Sequence, residues 1–242
     1  MTRENFSNGF DTLLNSFANT IQYGEPNAKI DIAVDEYEKS LFLTQAQEEE
    51  VLSLYNGKNQ DRESFESTEE LRRYLAPLIE EAELSPITTS DGKFLGLESN
   101  SKFFTLPENL WFITFERVLI TDGKCEGTTT LDVYPVRQDE YHKIRNNPFR
   151  GANDRRALRL DLSEGNVEII SKYGITSYYV RYLRKLKPII LSYLGNETSI
   201  NGISEATDCE LPDILHQRIL ERAVMMALRS RGIRNDNNNE NR

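Results

Sequence analysis

The sequence predicts an α+β protein: a helical bundle, made of N-terminal helices plus a C-terminal helix, with an inserted antiparallel β region. Three observations carry that expectation. Apolar side chains recur at helical spacing in residues 36–84 and again in 211–231. Residues 110–183 are dense in β-branched and aromatic side chains separated by turn sequences. The chain has 242 residues, enough to bury about 70–75% of its unfolded surface in one large or two small domains. The expected organisation is an N-terminal arm over 1–34 and a first part of the bundle over 35–85. A β-rich insert over 86–194, a linker with the closing bundle helix over 195–231, and a disordered tail over 232–242 complete it.

The arm holds Phe6, Phe10, Leu13, Leu14 and Phe17, spaced for one short amphipathic helix, before Gly24 and Pro26 break it. A phenylalanine-rich segment without a strong cap is suited to docking on a neighbour, so Phe6, Phe10 and Phe17 are candidate subunit-interface residues. In 36–84, Thr44 with Gln47 and Ser67 with Glu70 fit the capping-box pattern, in which two side chains satisfy free backbone N–H groups at a helix start. Gly57 is placed to end the first helix, and Pro77 to kink the second within Leu71, Tyr74, Leu75, Leu78 and Ile79. Two antiparallel helices result.

The insert opens with LWFITFERVLI (110–120), which the Asp122-Gly123 turn returns into a strand over 128–136. ALRLDL (157–162) alternates apolar with charged residues and turns through SEGN into VEII (167–170), a hairpin with one wet face. An aromatic strand follows over 178–183. Between the hairpins, 139–156 reads as a short helix and a basic loop broken by Pro148 and Gly151. In 211–231 an apolar stripe of Leu211, Leu215, Ile219, Ala223 and Met226 is widened by Ile214, Leu220, Val224, Ala227 and Leu228. Pro212 suits its first turn and Gly232 its end.

Composition narrows the function. Mean hydropathy is −0.57 and no run of 18 apolar residues occurs, so no membrane partner is expected. The N-terminal stretch MTRENFSNGFDTLLNSF lacks the layout of a signal peptide. Phosphate-loop, dinucleotide, nucleophile-elbow and zinc-protease motifs are missing from the sequence, and its two histidines, His142 and His216, read as surface groups. Cys125 lies beside Lys124 with no histidine near in sequence, and Cys209 reads as a small packed residue. No catalytic residue, cofactor or metal site is therefore expected, and an enzyme is not the reading.

Charge is the sharpest feature. The net charge is −10, yet residues 1–100 hold 8 Lys+Arg against 20 Asp+Glu, and residues 137–187 hold 12 against 6. Arg145, Arg150, Arg155 and Arg156, with Lys143, would repel one another on one face without a partner. Phosphate would supply the counter-charge, and so would the acidic N-terminal part of another copy. The four arginines are candidate subunit-interface residues on the second reading.

The segments FDTLLNSF (10–17), DEYEKSLFLTQAQEE (35–49), DEYHKIRNNPFRGANDRRALRLDL (139–162), VEIISKYGITSYYVRYLRKLKPIIL (167–191) and CELPDILHQRILERAV (209–224) resemble a virion structural protein of crAss-like bacteriophages. The resemblance covers about three quarters of the chain. It implies a ring of the portal vertex in a short-tailed particle, of the head-to-tail adaptor type. The implied ring is twelve-fold, lies between portal and tail, and leaves a channel for genomic DNA. The implied partners are further copies of the chain, the portal protein and other ring or tail proteins. It implies a location in the virion, after synthesis in the host bacterial cytoplasm. A tail or fibre-docking protein of the same particle is the alternative, and a nucleic-acid-binding module a more distant one.

Overall fold

The computed structural model describes residues 1–21, 32–57, 68–87, 96–98, 100–121, 128–195 and 197–231. Gly24, Pro26, Ser67, the Asp122-Gly123 turn, Lys124, Cys125, Gly232 and the 232–242 tail lie outside them. The fold is α+β. The chain divides into two compact units, Met1–Pro77 with Leu186–Arg242, and Leu78–Lys185.

The first unit is helical. Helix α1 (Arg3–Ile21) buries Phe6, Phe10, Leu14 and Ala18. These lie at four-residue intervals, so they form a single stripe. The stripe packs on α5 (Asp213–Ser230), and the axes approach closely enough that a Cβ at Gly9 would lie 2.9 Å from Leu220 Cδ2. Phe6 and Phe10 are thus buried within their own chain, while Phe17 is half-buried. The amphipathic helix expected in the N-terminal segment is α1, and its apolar stripe lies on α5 of the same chain.

Helix α2 (Glu36–Tyr55) starts at Asp35, whose carboxylate accepts from the Glu38 N–H at 2.7 Å. It has polar residues facing inward. Ser40, Thr44 and Gln47 are all buried, and they do not cap a helix as the spacing predicts. Thr44 Oγ1 accepts from the Ile189 N–H at 3.1 Å, Ser40 Oγ from the Leu191 N–H at 3.0 Å, and Gln47 Nε2 donates to the Lys187 carbonyl at 2.9 Å. The side chains therefore serve the returning backbone of residues 187–191. Lys39, also buried, donates to Asp11 at 2.7 Å and Glu36 at 3.0 Å. Burial opposes its charge, and those two carboxylates outweigh it, leaving its pKa above the ordinary value. On the other flank buried Glu50 meets Arg218 at 3.0 Å and Arg222 at 2.8 Å, both from α5. A short α3 (Glu69–Leu75), capped by Thr68 accepting from the Leu71 N–H, runs into a 3-10 turn at Ala76–Leu78. Pro77 does not kink a longer helix; the chain turns into a strand.

That strand, β1 (Ile79–Leu84), was expected as helix. It begins a seven-stranded sheet with β2 (Lys102–Thr105), β3 (Leu110–Thr121), β4 (Thr128–Pro135), β5 (Arg156–Asp161), β6 (Asn166–Ile170) and β7 (Gly174–Arg184). The order is β1-β7-β3-β4-β5-β6-β2, and every neighbouring pair is antiparallel except β4–β5, which is parallel. The sheet is therefore mixed, where a wholly antiparallel one was expected. A parallel pair needs a crossover in place of a hairpin, and α4 (Gln138–Ile144) with the basic loop forms it. The β5–β6 hairpin is as expected, with positive φ at Glu164 and Gly165 matching the strand twist. Its outer face is dry, because Tyr141 and Ile144 of α4 cover Leu158, Leu160 and Ile170.

On the inner face Arg159 donates to both carboxylate oxygens of Glu116 at 2.8 Å, and the buried Tyr178 hydroxyl donates to the same group. Burial pushes Glu116 upward against the pull of Arg159 and Tyr178, and pushes the Tyr178 hydroxyl upward as well. The cluster lies among Val118, Ile120, Val167, Ile169 and Val180.

His216 is buried beside the Phe6 ring, where the stripe reading put it on the exposed side of α5. Ile214, assigned to the buried face, is exposed.

Two outcomes follow. Thr44→Val leaves the Ile189 N–H without its acceptor and should lower stability by about 1–3 kcal/mol in chemical denaturation; an unchanged midpoint would mean the contact is dispensable. Burial holds His216 below the ordinary histidine pKa near 6.5. The unfolded chain then takes up this proton before the folded one, so stability declines as pH falls below that value, down to the lower folded pKa. Denaturation midpoints at about pH 7.5 and about pH 6 should differ in that sense, and His216→Phe should reduce the difference.

Candidate subunit interface

The basic loop is the crossover between β4 and β5, so its position is set by a parallel pairing in the sheet. Helix α4 anchors its first end. Tyr141 and Ile144 are buried, the Tyr141 hydroxyl donates to Glu98 at 2.9 Å, and Arg145 Nε meets the same carboxylate at 2.6 Å. Burial and the Glu98 charge hold the Tyr141 hydroxyl well above the usual phenol range. Arg145 is therefore engaged within the chain. A polar recess of about 390 Å³ beside it is lined by Glu98, Tyr141, Arg145, Leu158 and Lys172 among others. Its cations are matched, Arg145 by Glu98 and Lys172 by Asp154 at 3.4 Å.

Beyond α4 the loop is tightly constructed. Asn147 Oδ1 accepts from the N–H groups of Phe149 at 2.9 Å and Arg150 at 3.1 Å, the Asx turn that asparagine side chains favour. The Gly151 N–H donates to the Asn147 carbonyl at 2.7 Å. A Cβ at Gly151 would lie 2.7 Å from that oxygen and 2.9 Å from the Arg145 carbonyl, so only glycine fits. Arg156 closes the loop by donating to the Phe149 carbonyl at 2.9 Å while its guanidinium lies 4.1 Å from the centre of the Tyr134 ring.

The four arginines thus divide. Arg145 and Arg156 brace the loop from within. The side chains of Arg150 and Arg155 are exposed, without an ion-pair partner among the described residues. Between them and the brace stands Phe149, 83% exposed. Sequence reasoning passed over Phe149, although a phenylalanine between Pro148 and Arg150 in a polar loop has no core to join. Phe6 and Phe10, the other candidates, belong to the α1–α5 contact and to the first unit.

Elsewhere the reactive side chains are scattered. His142 is exposed on α4 and His216 buried on α5. Cys209 Sγ donates to Gln47 Oε1 at 3.2 Å, and burial pushes the thiol up to about 11. Among the described residues no group of His, Cys, Asp and Glu is arranged to hold a metal ion, and no helix is long and apolar enough to cross a membrane.

The loop presents an aromatic ring and two guanidinium groups that have no ion-pair partner among the described residues, a composition suited to an assembly subunit, whose chemistry is contact with another macromolecule. Residues 1–240 match the family of phage tail ring protein 3/4, and the chain belongs to that family. Ring protein 3 of Bacteroides phage crAss001 is 45% identical over 234 residues, covering 96% of each chain. Ring protein 4/5 of the same phage is 29% identical over 236 residues, covering 94% of this chain and 92% of its own. The protein is a structural ring protein of a phage virion.

Gly151→Ala should lower stability by about 1–3 kcal/mol, because the methyl meets backbone oxygens that cannot move independently. Hydrogen exchange at the Phe149 and Arg150 amides should accelerate with it. Unaltered exchange would show that the loop accommodates the methyl.

Proposed function

We propose that the protein forms a head-to-tail connector ring below the portal, joins capsid to tail, and leaves a channel through which DNA passes. The supporting observation is the outward display of Phe149, Arg150 and Arg155 in a member of a ring family. Such a feature suits contact between copies. The chain carries 39 Asp+Glu, so the basic loop of one copy meets acidic side chains of the next, and the contact closes by rotation. The expected ring is twelve-fold, with the portal protein and other ring or tail proteins above and below it. The higher identity to Ring protein 3 than to Ring protein 4/5 favours the level that the former occupies.

Protein and not DNA is the proposed partner of the loop. DNA must slide through a connector, and a strongly basic sleeve would retain it. A net charge of −10 per copy suits a channel wall that repels DNA weakly. A tail or fibre-docking role in the same particle is the competing reading and predicts a different copy number and symmetry.

Electron microscopy of particles, with this protein located by labelling, should show a closed ring between portal and tail. Replacing both Arg150 and Arg155 by glutamate should block incorporation while leaving the melting temperature within about 2 °C of the parent, since exposed charges contribute little to stability. Normal incorporation with altered DNA retention would place the loop against DNA and overturn the protein-contact assignment.

A further inference from the structure

Among the described residues the two most exposed large apolar side chains are Phe149, at 83%, and Ile214, at 63%. Their surroundings differ: exposed arginines accompany Phe149, and exposed carboxylates, each with a cation of its own chain on one oxygen, lie near Ile214. Phe149 is adjacent to Arg150, with Arg155 in the same loop. Ile214 lies in the first turn of α5 next to Asp213, whose side chain is 87% exposed, and Asp208, 69% exposed, lies five residues before the helix start. Helical spacing places Gln217, Arg218 and Glu221 on the same face as Ile214. Arg218, the cation that α5 itself places on that face, is drawn to the buried Glu50 at 3.0 Å. Asp213 and Asp208 each already touch a cation of their own chain, Asp213 the Met1 amine at 2.6 Å and Asp208 the Arg3 guanidinium at 3.2 Å. Each contact engages Oδ1 alone, and a carboxylate has two oxygens, with about four acceptor sites.

A ring closed by rotation uses two different patches on each copy, one for each neighbour. We infer that the Phe149 loop of one copy docks on the Ile214 face of α5 in the next, ring against aliphatic side chain, with Arg150 and Arg155 facing Asp213 and Glu221. The inference rests on the ring reading above and names its partner surface as a second copy of this chain. The loop is suited to the role of anchor. Aromatic and arginine side chains dominate interface energetics. The Asx turn, Gly151 and the Arg156 brace fix the loop before contact, which reduces the ordering cost of binding. Ile214 supports the same conclusion from the other side: it interrupts an otherwise polar exposed face, and its neighbours Leu215 and His216 are already buried in the bundle.

The test uses the full chain. Self-association is followed by native mass spectrometry over a concentration series, and ring formation by electron microscopy, with melting curves to confirm that each variant is folded. Phe149→Ala and Ile214→Ser should each weaken self-association roughly 30-fold or more. The double variant should be little worse than either single one, because both remove one contact. Arg150→Glu with Arg155→Glu should disrupt self-association, Asp213→Arg with Glu221→Arg should do the same, and all four together should restore it. Independent, multiplying effects, or failure of the four-fold variant to recover, would overturn the pairing. A parent chain that stays monomeric while its ring is present in particles would overturn the second-copy assignment and leave the ring reading standing. Particles in which this protein forms no ring would sink the reading itself.

Discussion

The first unit depends on how α2 supplies hydrogen bonds to the chain that returns beside it. Residues 188–191 run through the interior without belonging to a helix or a sheet, and buried backbone groups must find partners there. Ser40, Thr44 and Gln47 occur at spacings of four and three on α2, so they line one face and meet the returning segment in register. Each such bond is worth about 1 kcal/mol net, but an unsatisfied buried amide costs more than its bond contributes. The row therefore acts as a selector of register. It fixes where Ile189, Ile190 and Leu191 enter the core, and through them where α5 begins.

The same logic explains the two buried charges of α2. Lys39 faces α1 and Glu50 faces α5, and each is matched by groups from the helix it faces. A buried ion pair adds little net stability over an apolar one, but an unmatched one is heavily penalised. Slippage of α1 or α5 by one turn would strand a charge, so these pairs discriminate against wrong packings of three helices whose apolar contacts alone would be less selective. In the second unit Glu116 and Arg159, from strands separated by β4, impose a comparable constraint. Their contact spans β4 and holds β5 beyond it, where the pairing is parallel and its crossover is the basic loop.

What was legible in the sequence followed the burial of apolar surface. Helices α1 and α5 show single stripes, and the β5–β6 hairpin has its turn written in Ser163–Asn166. Features in which polar groups face inward were misread. Thr44 and Gln47 imitate a capping box because both motifs place a hydroxyl and an amide three residues apart. Asp35, the actual cap, was overlooked because the residues after it are not periodic. Strand β1, with the sequence IEEAEL, continues an apolar spacing that looks helical; Glu81 and Glu83 are exposed, a charge pattern typical of a sheet edge. The parallel pair was hidden although its signal was present, for a strand, a helix and a strand in succession over 128–161 form the usual crossover unit. The candidate site was half legible. Charge singled out the loop, but only the structure separates the bracing arginines from the displayed ones, because the distinction depends on Glu98, distant in sequence, and on the Phe149 carbonyl.

Assembly of copies that each carry a charge of −10 raises a further question of range. At physiological ionic strength the screening length is about 8 Å, so most of that charge is invisible to a neighbour and repulsion acts only between groups close to the contact. Local pattern then outweighs the total. A loop that carries two exposed guanidinium groups and an aromatic ring can be attracted to exposed carboxylates even though the two chains repel at longer distance. Rim charges of this kind contribute to orientation and to rejection of wrong partners more than to affinity, which is carried by desolvated apolar contact. In a closed ring each contact is reinforced, since the last subunit binds two neighbours at once and its second contact is intramolecular. A modest interface is then sufficient, and the overall negative charge that keeps single copies apart before assembly need not be removed for the ring to close.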